Sequence, residues 1–365
     1  MKILHVITSL HSGGAEKLLL DIIPKLKSKG HEVDLLLFDG SNTPFKYQAK
    51  KEGINIIQLS IGGNVYNPVN IIKLLRFLPE YDVVHTHNTA PQLFAAIGSV
   101  LCSCVLCTTE HSTSNRRRQW KWYTVIDRWM YGRYKKIISI SPQTEEHLRI
   151  SLNAPDSDKF ITIYNGIDVK RYKEAKPVDI DKDGLGCRIA LMQVAGFRLE
   201  KDQDSVIRSL KYLPEDIHLF LVGDGVRRSE LEKITSDEGL TDRVHFLGIR
   251  SDVPGLLKSA DIVVMSSHWE GFGLAAVEGM AAGKPVIASD VDGLREVVKG
   301  AGVLFAQGDS KGLADEIIKL DASPMLSNEI AKRCSSRASE YDISKMVEGY
   351  CKVYEEIKSS SHKDA

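Results

Sequence analysis

The 365-residue sequence carries no net charge, because 48 lysine and arginine residues balance 48 aspartate and glutamate residues. A chain without a positive excess lacks the electrostatic footprint of a nucleic-acid-binding protein, so we expect no nucleic-acid partner. The sequence also lacks a long hydrophobic run. Its longest uncharged apolar stretch, residues 93–107, has 15 residues, whereas a membrane-spanning helix needs about 20.

Cysteine is scarce, and its spacing is not that of a disulfide framework. Three of the six cysteines fall within residues 102–107 and the others are scattered, which favours a buried strand with reduced thiols over a metal cluster. A secretory signal is not expected, since Gly13 and Gly14 interrupt the first apolar run before a signal-type hydrophobic region forms. We therefore expect a cytoplasmic protein.

Apolar runs alternate with amphipathic helical patterns along the chain. Residues 3–9 predict a strand, and residues 15–29 predict a helix whose apolar side chains share one face. The same alternation predicts further strands at residues 33–38, 54–59, 83–87, 104–109, 136–141, 188–194, 218–222, 244–246, 262–265 and 285–288. Repeated strand–helix–strand units predict parallel sheets with right-handed crossovers. The fold class is therefore α/β, with two Rossmann-like, doubly wound parallel-sheet domains.

The alternation is interrupted once, and that interruption divides the chain. Residues 171–186 are polar and include proline and glycine, which is typical of a linker. We expect an N-terminal domain over 1–170, a C-terminal domain over 187–342, and a helix at 343–357 that crosses back onto the first domain. Residues 1–168 hold 20 basic and 15 acidic side chains, and the remainder hold 28 and 33. The N-terminal half is thus the better candidate for meeting an anionic surface.

The most informative stretch is SSHWEGFGLAAVE, residues 266–278. It follows a predicted buried strand and opens a helix, and Gly271 and Gly273 allow backbone to approach a ligand closely. A helix N-terminus carries about half a positive charge and attracts an anion. Glu270 and Glu278 lie at the same helix start, and a carboxylate suits the hydroxyl groups of a sugar or ribose. The pattern predicts a site for a ligand that carries both an anion and hydroxyl groups.

Two other loops follow predicted strands. In AGFRLEKD, residues 195–202, Arg198 and Lys201 can neutralise the charge of a departing diphosphate. Gly13 and Gly14 follow the first strand, but the dinucleotide fingerprint G-x-G-x-x-G is missing there. We interpret the Gly13–Gly14 loop as backbone that meets the donor phosphate or the acceptor.

These motifs resemble those of glycosyltransferase family 4, the retaining enzymes of the GT-B fold. The resemblance rests first on Glu270 and Glu278, with Gly-Phe-Gly between them and Ala-Ala-Gly-Lys-Pro-Val after them. Further matching motifs occur in the same order, namely Gly13-Gly14-Ala15-Glu16, Thr109-Glu110-His111, Asn165-Gly166-Ile167-Asp168, Gly223-Asp224-Gly225, Phe246-Leu247-Gly248 and Gly293-Leu294-Arg295-Glu296. The resemblance covers essentially the whole chain, although it is not specific to any one sugar.

The resemblance implies two Rossmann-like domains facing a central cleft, with a nucleotide-diphosphate sugar, expected to be a UDP-sugar, on the C-terminal domain. Glu278 would bind the ribose hydroxyls, and Glu270 would hold the donor sugar. The backbone groups of Phe272, Gly273 and Leu274 would share that second task. Ile249 belongs to a loop that would contact the base.

His111 would reach the transferring sugar and phosphate from the N-terminal domain, by the same resemblance. The family usually carries an arginine just after a glycine and a lysine five residues later. Lys201 matches that lysine, but the arginine position falls on Gly196, and Arg198 is the nearest cation. Whether Arg198 replaces the family arginine stays open at this point.

The activity implied is a retaining, metal-independent, hexosyltransferase-type reaction in polysaccharide biosynthesis that needs no cofactor beyond the nucleotide-sugar co-substrate. The acceptor would be a glycan or a polyprenyl-linked glycan. Two alternatives stay open: a GT-B nucleotide-sugar epimerase, which would consume donor without acceptor, and a catalytically silent sugar-nucleotide-binding subunit.

Two pairs of residues could hold a metal ion by their spacing. His85 and His87 alternate at a strand end, but no carboxylate or third histidine accompanies them in sequence, so we interpret them as lining of the cleft. Asp290 and Asp292 resemble the D-x-D motif of the other glycosyltransferase fold. They occupy the place of a sugar-side loop in this family, and we expect no metal there.

A basic, tryptophan-rich segment spans residues 115–136, with eight basic residues, one acidic residue and three tryptophans. Its candidate contacts for an anionic membrane or an acceptor are Arg116, Arg117, Arg118, Trp120, Lys121 and Trp122. Cationic and tryptophan side chains favour the membrane interface, although Trp122, Ile126, Trp129 and Met130 share a helical face that could equally belong to the core. The alternatives are a peripheral contact with the inner face of the cell membrane and a segment that belongs to the core.

Overall fold

The computed structural model of the protein describes residues 1–11, 13–111, 121–154 and 157–361, without the side chains of residues 121, 122 and 361. The chain forms two compact units. Unit 1 comprises Met1–Gly166 and Ile343–Ala365, and unit 2 comprises Ile167–Asp342. The segment 171–186, which the sequence predicts as a linker, lies within unit 2.

Each unit is built on one parallel sheet flanked by helices. The strands are β1 (Lys2–Ile7), β2 (Glu32–Asp39), β3 (Asn55–Ser60), β4 (Val83–His87), β5 (Leu106–Glu110), β6 (Lys136–Ser139), β7 (Phe160–Thr162), β8 (Ile189–Val194), β9 (Ile217–Val222), β10 (Val244–Gly248), β11 (Ile262–Met265), β12 (Val286–Ser289) and β13 (Val303–Phe305). The helices are α1 (Gly14–Ser28), α2 (Pro44–Lys51), α3 (Val69–Leu75), α4 (Thr89–Leu101), α5 (Lys121–Gly132), α6 (Pro142–Leu152), α7 (Val169–Lys173), α8 (Gln203–Ser209), α9 (Arg228–Asp237), α10 (Val253–Ser259), α11 (Leu274–Ala281), α12 (Leu294–Val298), α13 (Ser310–Ala322), α14 (Pro324–Ala338) and α15 (Ile343–Ser361).

Strand order confirms the doubly wound α/β class. The sheet of unit 1 runs β3-β2-β1-β4-β5-β6-β7, and that of unit 2 runs β10-β9-β8-β11-β12-β13. All of the pairings between named strands are parallel. In each sheet the order reverses beside the first strand, as in the Rossmann arrangement.

The sheet of unit 1 is buried on both faces. Ile3 and Ile7 of β1 pack in one apolar cluster with α1 and α15, whereas Leu4 and Val6 pack in the other with α4. This division follows from the two-residue period of a strand. Helix α15 therefore covers one face of the sheet of unit 1, where the sequence predicts a crossing helix.

Two of the thirteen strands, β7 and β13, were not predicted from the hydrophobic runs. Each has only three residues, which is too short to show an alternation. In the described part of the chain, no helix is long and apolar enough to span a bilayer.

Candidate functional site

The predicted donor-binding residues gather at the carboxyl edge of the sheet of unit 2. There β8 lies between β9 and β11. The chain continues from β8 to β9 on one side and later returns to form β11 on the other side of β8. Ligands of open α/β sheets bind outside the carboxyl ends of the strands at such a reversal of strand order. The loops that follow β8 and β11 contain Lys201 and Glu270, respectively.

The loop that carries Lys201 is fastened to both strands. The Lys201 carbonyl oxygen accepts hydrogen bonds from Gln193 Nε2 at 3.1 Å and from Ser266 Oγ at 2.9 Å. Ser266 Oγ lies 2.7 Å from the Asp202 carbonyl oxygen as well. Gln193 and Ser266 are buried at the ends of β8 and β11. These contacts fix the backbone position of Lys201.

Lys201 and Glu270 form the central ion pair of this edge. Lys201 Nζ donates to Glu270 Oε2, and Ser267 Oγ lies 3.3 Å from the same oxygen. The two side chains are 20% and 17% exposed, so the pair is shielded from water yet reachable. A partly desolvated cation paired in this way is positioned before a ligand arrives.

Glycines allow two loops to pack closely beside the start of α11. Gly273 has φ 89°, and a Cβ there would lie 2.6 Å from Leu294 Cδ2. Gly293 has φ 82°, and its Cβ would lie 2.5 Å from the Glu270 carbonyl oxygen. Both conformations and both spacings favour glycine. The result is a helix N-terminus immediately beside the Lys201–Glu270 pair.

Glu278 lies in α11 and is more buried than a solvated acid would be. It is 6% exposed, and its Oε1 accepts a hydrogen bond from the hydroxyl of Tyr172 at 2.6 Å. Tyr172 belongs to α7 and is 1% exposed. The sequence gives no sign of this role for Tyr172, because the residue lies in the segment 171–186 that is interpreted as a linker.

The remaining donor-side residues differ in exposure. Phe272 is 3% exposed and packs edge-on to Tyr341, and Leu274 is the first residue of α11. Ile249 is 68% exposed after Gly248. The Arg198 side chain is 57% exposed, and its charged partner among the described residues is Glu200 at 3.8 Å. Thus Arg198 is not part of the Lys201–Glu270 pair in this structure.

The loop after β12 carries Asp290 and Asp292, and Glu296 lies in α12, which follows it. Arg295 Nε donates to Asp290 Oδ1 at 2.5 Å, and its Nη1 donates to Asp292 Oδ1 at 3.1 Å. Glu296 contrasts with them, since neither carboxylate oxygen has a hydrogen-bond partner among the described residues. Burial, with a smaller contribution from Asp292, raises the pKa of Glu296 to about 7. In the sequence, Glu296 is distinguished only as the last residue of the Gly293-Leu294-Arg295-Glu296 motif.

Unit 1 has the corresponding reversal of strand order between β1 and β4. The backbone of Gly13 is extended and precedes Gly14, the first residue of α1. His111 directly follows β5, and its Nε2 lies 2.9 Å from Nδ1 of His87. Burial lowers the pKa of His111 to about 4, so its ring is neutral at pH 7.

His85 and His87, which the sequence interprets as lining of the cleft, are buried in unit 1, and a third histidine accompanies them. They are 0% and 1% exposed, and a third histidine, His5, lies beside them with Nδ1 3.0 Å from His87 Nε2. His5 was missed because it lies 80 residues away in sequence. The pairing of β1 with β4 sets His5 opposite His85.

The basic segment is described only in part. Arg116, Arg117, Arg118 and Trp120 lie outside the described residues, and α5 begins at Lys121. Within α5, Met130 is fully buried, whereas Val125 and Trp129 are 68% and 43% exposed. Trp129 therefore does not share the buried face of Met130.

Comparison with protein families covers most of the chain. Residues 186–341 match the model for glycosyl transferases group 1, and residues 12–171 match the model for glycosyltransferase family 4. The two matches correspond closely to unit 2 and to the N-terminal part of unit 1.

Individual relatives and solved structures agree with the family match. The chain is 26% identical to a phosphatidyl-myo-inositol mannosyltransferase of Mycobacterium leprae, over 96% of this chain and 95% of that protein. It is 26% identical to an Escherichia coli UDP-Gal:alpha-D-GlcNAc-diphosphoundecaprenol alpha-1,3-galactosyltransferase, over 78% of each. The crystal structure of Anabaena HepE with UDP and glucose superposes with a TM-score of 0.86 at 23% identity, covering 98% of this chain and 100% of that one. The chain therefore belongs to glycosyltransferase family 4, and its two parallel-sheet units are those of the GT-B fold.

Proposed function

We propose that the protein transfers a hexose from a nucleoside-diphosphate sugar that binds to unit 2. The observation that carries this proposal is the Lys201–Glu270 pair beside the start of α11. An ammonium group and a helix N-terminus both attract a diphosphate. Glu270, already oriented by Lys201 and Ser267, then offers its carboxylate to sugar hydroxyls.

We assign the nucleoside to the part of the same edge that contains Glu278 and Tyr172. Glu278 accepts from the ribose hydroxyls, with Tyr172 holding its carboxylate in place. The exposed loop at Ile249 meets the base, and the backbone at Phe272, Gly273 and Leu274 meets the sugar and phosphate. The bound donor is a UDP-sugar, a choice supported by the UDP and glucose named for HepE.

Transfer proceeds with retention and without a metal ion in this proposal. Lys201 supplies positive charge to the leaving diphosphate, and Arg295 already pairs with Asp290 and Asp292, the acids whose spacing suggests a metal ligand. Gly13, Gly14 and His111 of unit 1 take part in binding donor or acceptor. Retention rests on the family resemblance.

The acceptor in this proposal is a glycan or a polyprenyl-linked glycan, as the names of the E. coli and M. leprae relatives suggest. The protein then works in the cytoplasm, peripherally on the inner face of the cell membrane. Val125 and Trp129, four residues apart on α5, supply exposed apolar side chains within the basic segment. Exposed tryptophan beside several cations is typical of an interfacial contact.

The donor is identified by thermal stabilisation against UDP, GDP and ADP, followed by turnover assays with EDTA present. A tight ligand at about 100 times its Kd stabilises by about 2.7 kcal/mol, and we expect UDP to give the largest shift. The anomeric configuration of the product, measured by NMR, tests retention. Donor consumption without acceptor that yields an epimerised sugar would indicate an epimerase, and binding without any turnover or hydrolysis would indicate a silent subunit.

Membrane contact is tested by sedimentation with liposomes that contain anionic lipid. We expect binding that weakens with salt and that is lost when Arg116, Arg117 and Arg118 are replaced by serine. Replacement of the exposed Lys29, Lys50 and Lys51 by serine is the matched control, because it removes the same charge from unit 1 elsewhere. Equal sedimentation of both triple variants would contradict a specific contact.

A further inference from the structure

A chain of six hydrogen-bond contacts runs through the interior of unit 1 and ends at His111. Tyr350 Oη lies 3.0 Å from Thr109 Oγ1, which lies 2.8 Å from His85 Nε2. His85 Nδ1 is 2.6 Å from Tyr354 Oη, and that oxygen is 3.5 Å from His5 Nε2. His5 Nδ1 then meets His87 Nε2 at 3.0 Å, and His87 Nδ1 meets His111 Nε2 at 2.9 Å.

The fold brings these groups together from four separate stretches of sequence. His5, His85 and Thr109 project to the sheet face covered by α15, because their neighbours two residues away, such as Ile3, Val83 and Cys107, belong to the cluster that includes α15. Tyr350 and Tyr354 are one helical turn apart on α15 and face the sheet. His5, His85, Tyr350 and Tyr354 are each 0% exposed.

Each side chain in this series of hydrogen bonds holds one proton that it can donate. Burial lowers the pKa of His5 to about 3, and it holds those of His85 and His87 well below the ordinary value. All four rings are therefore neutral at pH 7, and each has one N–H and one bare nitrogen. Every ring that donates on one side must accept on the other, so the donors run in one direction along the chain.

Proton counting decides that direction. If His111 donated inward through Nε2, the last hydroxyl, that of Tyr350, would be left with a proton and no acceptor among the described residues. A buried donor without an acceptor is costly. If the donors run from Tyr350 toward His111 instead, each inner proton has an acceptor. The one proton left over then lies on Nδ1 of His111, which has no hydrogen-bond partner among the described residues.

We propose that His5, His85, His87 and Tyr354 are positioning residues that fix His111 as an Nδ1–H tautomer. His111 then presents a hydrogen-bond donor to its ligand, and not a bare nitrogen. The ligand group it recognises is an acceptor, such as a hydroxyl or phosphate oxygen of the substrate. The kinetic consequence rests on the proposed function, but the tautomer itself does not.

The same three inner histidines could also be regarded as a metal site, because their nitrogens lie within 4.8 Å of one another. Their ring nitrogens are already used in the contacts above, however, and His5 and His87 aim one nitrogen of each ring at the other. The planes of His5 and His87 lie 19° apart. This is the arrangement of a hydrogen bond between rings, and a bound metal is an outcome that the experiment can detect.

The test is NMR of protein labelled with nitrogen-15 in histidine, using two-bond correlations that report which ring nitrogen bears the proton. His111 is assigned by the signals missing from His111→Gln. We expect the Nδ1–H form of His111 in the wild-type protein and the opposite, Nε2–H form, to become measurable in Tyr354→Phe. Tyr134→Phe is the matched control, because that buried tyrosine bonds Thr86 and Gln92 outside the chain, and its spectrum should match the wild type.

Kinetics give the second measurement. Tyr354→Phe should lower kcat by about threefold to tenfold with the KM for donor sugar changed by less than about twofold, whereas Tyr134→Phe should leave kcat unchanged. An Nε2–H or charged His111 in the wild-type protein would overturn the proposal, whatever the activity. So would about one equivalent of tightly held metal in the purified protein. If the tautomer is as expected but no donor is turned over, the proposed function fails and the tautomer assignment stands.

Discussion

The two units both place their key side chains at the carboxyl edge of a parallel sheet, but under different electrostatic conditions. In unit 2, Lys201 and Glu270 follow β8 and β11, the two strands at the reversal of strand order, whereas His111 of unit 1 follows β5, one strand beyond β4. In unit 2 the edge holds a fixed ion pair, Lys201 and Glu270, that is about one-fifth exposed. In unit 1 the edge holds His111 backed by neutral, buried rings. The same kind of parallel sheet thus carries charged side chains at its carboxyl edge in unit 2 and neutral ones in unit 1.

The difference shows how each edge suits a different ligand group. An ammonium group and a helix N-terminus both favour a diphosphate. A neutral imidazole cannot hold an anion by charge. It can instead give or take one directed hydrogen bond, and its orientation depends on the contacts behind it. The predictions below test this contrast, beginning with the largest effect.

Lys201→Ala should cause the largest loss. Removing the cation leaves the Glu270 carboxylate beside the leaving diphosphate, so we expect kcat/KM to fall by about a hundredfold or more and diphosphate affinity to fall with it. Steady-state kinetics and calorimetry measure the two. Lys311→Ala is the control, because Lys311 also pairs with an acid, Asp315, but both side chains lie on the exposed face of α13. Retained diphosphate affinity in Lys201→Ala would place the anion elsewhere.

Glu278→Gln should reduce nucleotide affinity next. A hydrogen bond to a charged group is worth about 1.5–3 kcal/mol, which corresponds to roughly tenfold to a hundredfold in Kd. Tyr172→Phe keeps the carboxylate and loses only the contact that orients it, so its effect should be smaller. Calorimetry with nucleoside diphosphate compares the three proteins. A larger loss in Tyr172→Phe than in Glu278→Gln would reverse the roles assigned to them.

Acid should destabilise unit 1 more than unit 2. The pKa of His5 is about 3 in the folded protein and near 6.5 when unfolded, so the unfolded chain binds the extra proton first. The stability due to the neutral ring is complete above pH 6.5 and is lost as pH falls toward 3. At pH 5 this difference in the pKa of His5 alone lowers the free energy of unfolding by about 2 kcal/mol. The pKa values of His85, His87 and His111 are lowered in the folded protein as well.

Hydrogen exchange separates the two units in that experiment. Between pH 7 and pH 5, after correction for intrinsic exchange, amides of β1 and β4 should lose more protection than those of β8 and β11. His5→Phe should reduce the loss in unit 1, since one titrating ring is gone. Equal losses in both units would show that the histidine network does not dominate the acid response.

The sequence predicted the sheets well because buried parallel strands are nearly continuous apolar runs. It predicted the Lys201 and Glu270 loops because their motifs are local. It could not predict Tyr172 next to Glu278, or His5 next to His85, since those contacts depend on which strands and helices become neighbours. Tyr354 is a further example, because it reaches His85 only after α15 returns to the sheet of unit 1.

Arg198→Ala should have the smallest effect and thereby sharpens the description of unit 2. Its side chain is 57% exposed and pairs with Glu200 at 3.8 Å, whereas Lys201 reaches Glu270. An exposed pair contributes about 0–1 kcal/mol, so we expect kcat/KM and diphosphate affinity to change by less than about fivefold. A loss as large as that of Lys201→Ala would show that Arg198 moves onto the diphosphate when donor binds. In that case Arg198 replaces the arginine that the family carries at the position of Gly196, and the charged edge of unit 2 is completed by its ligand.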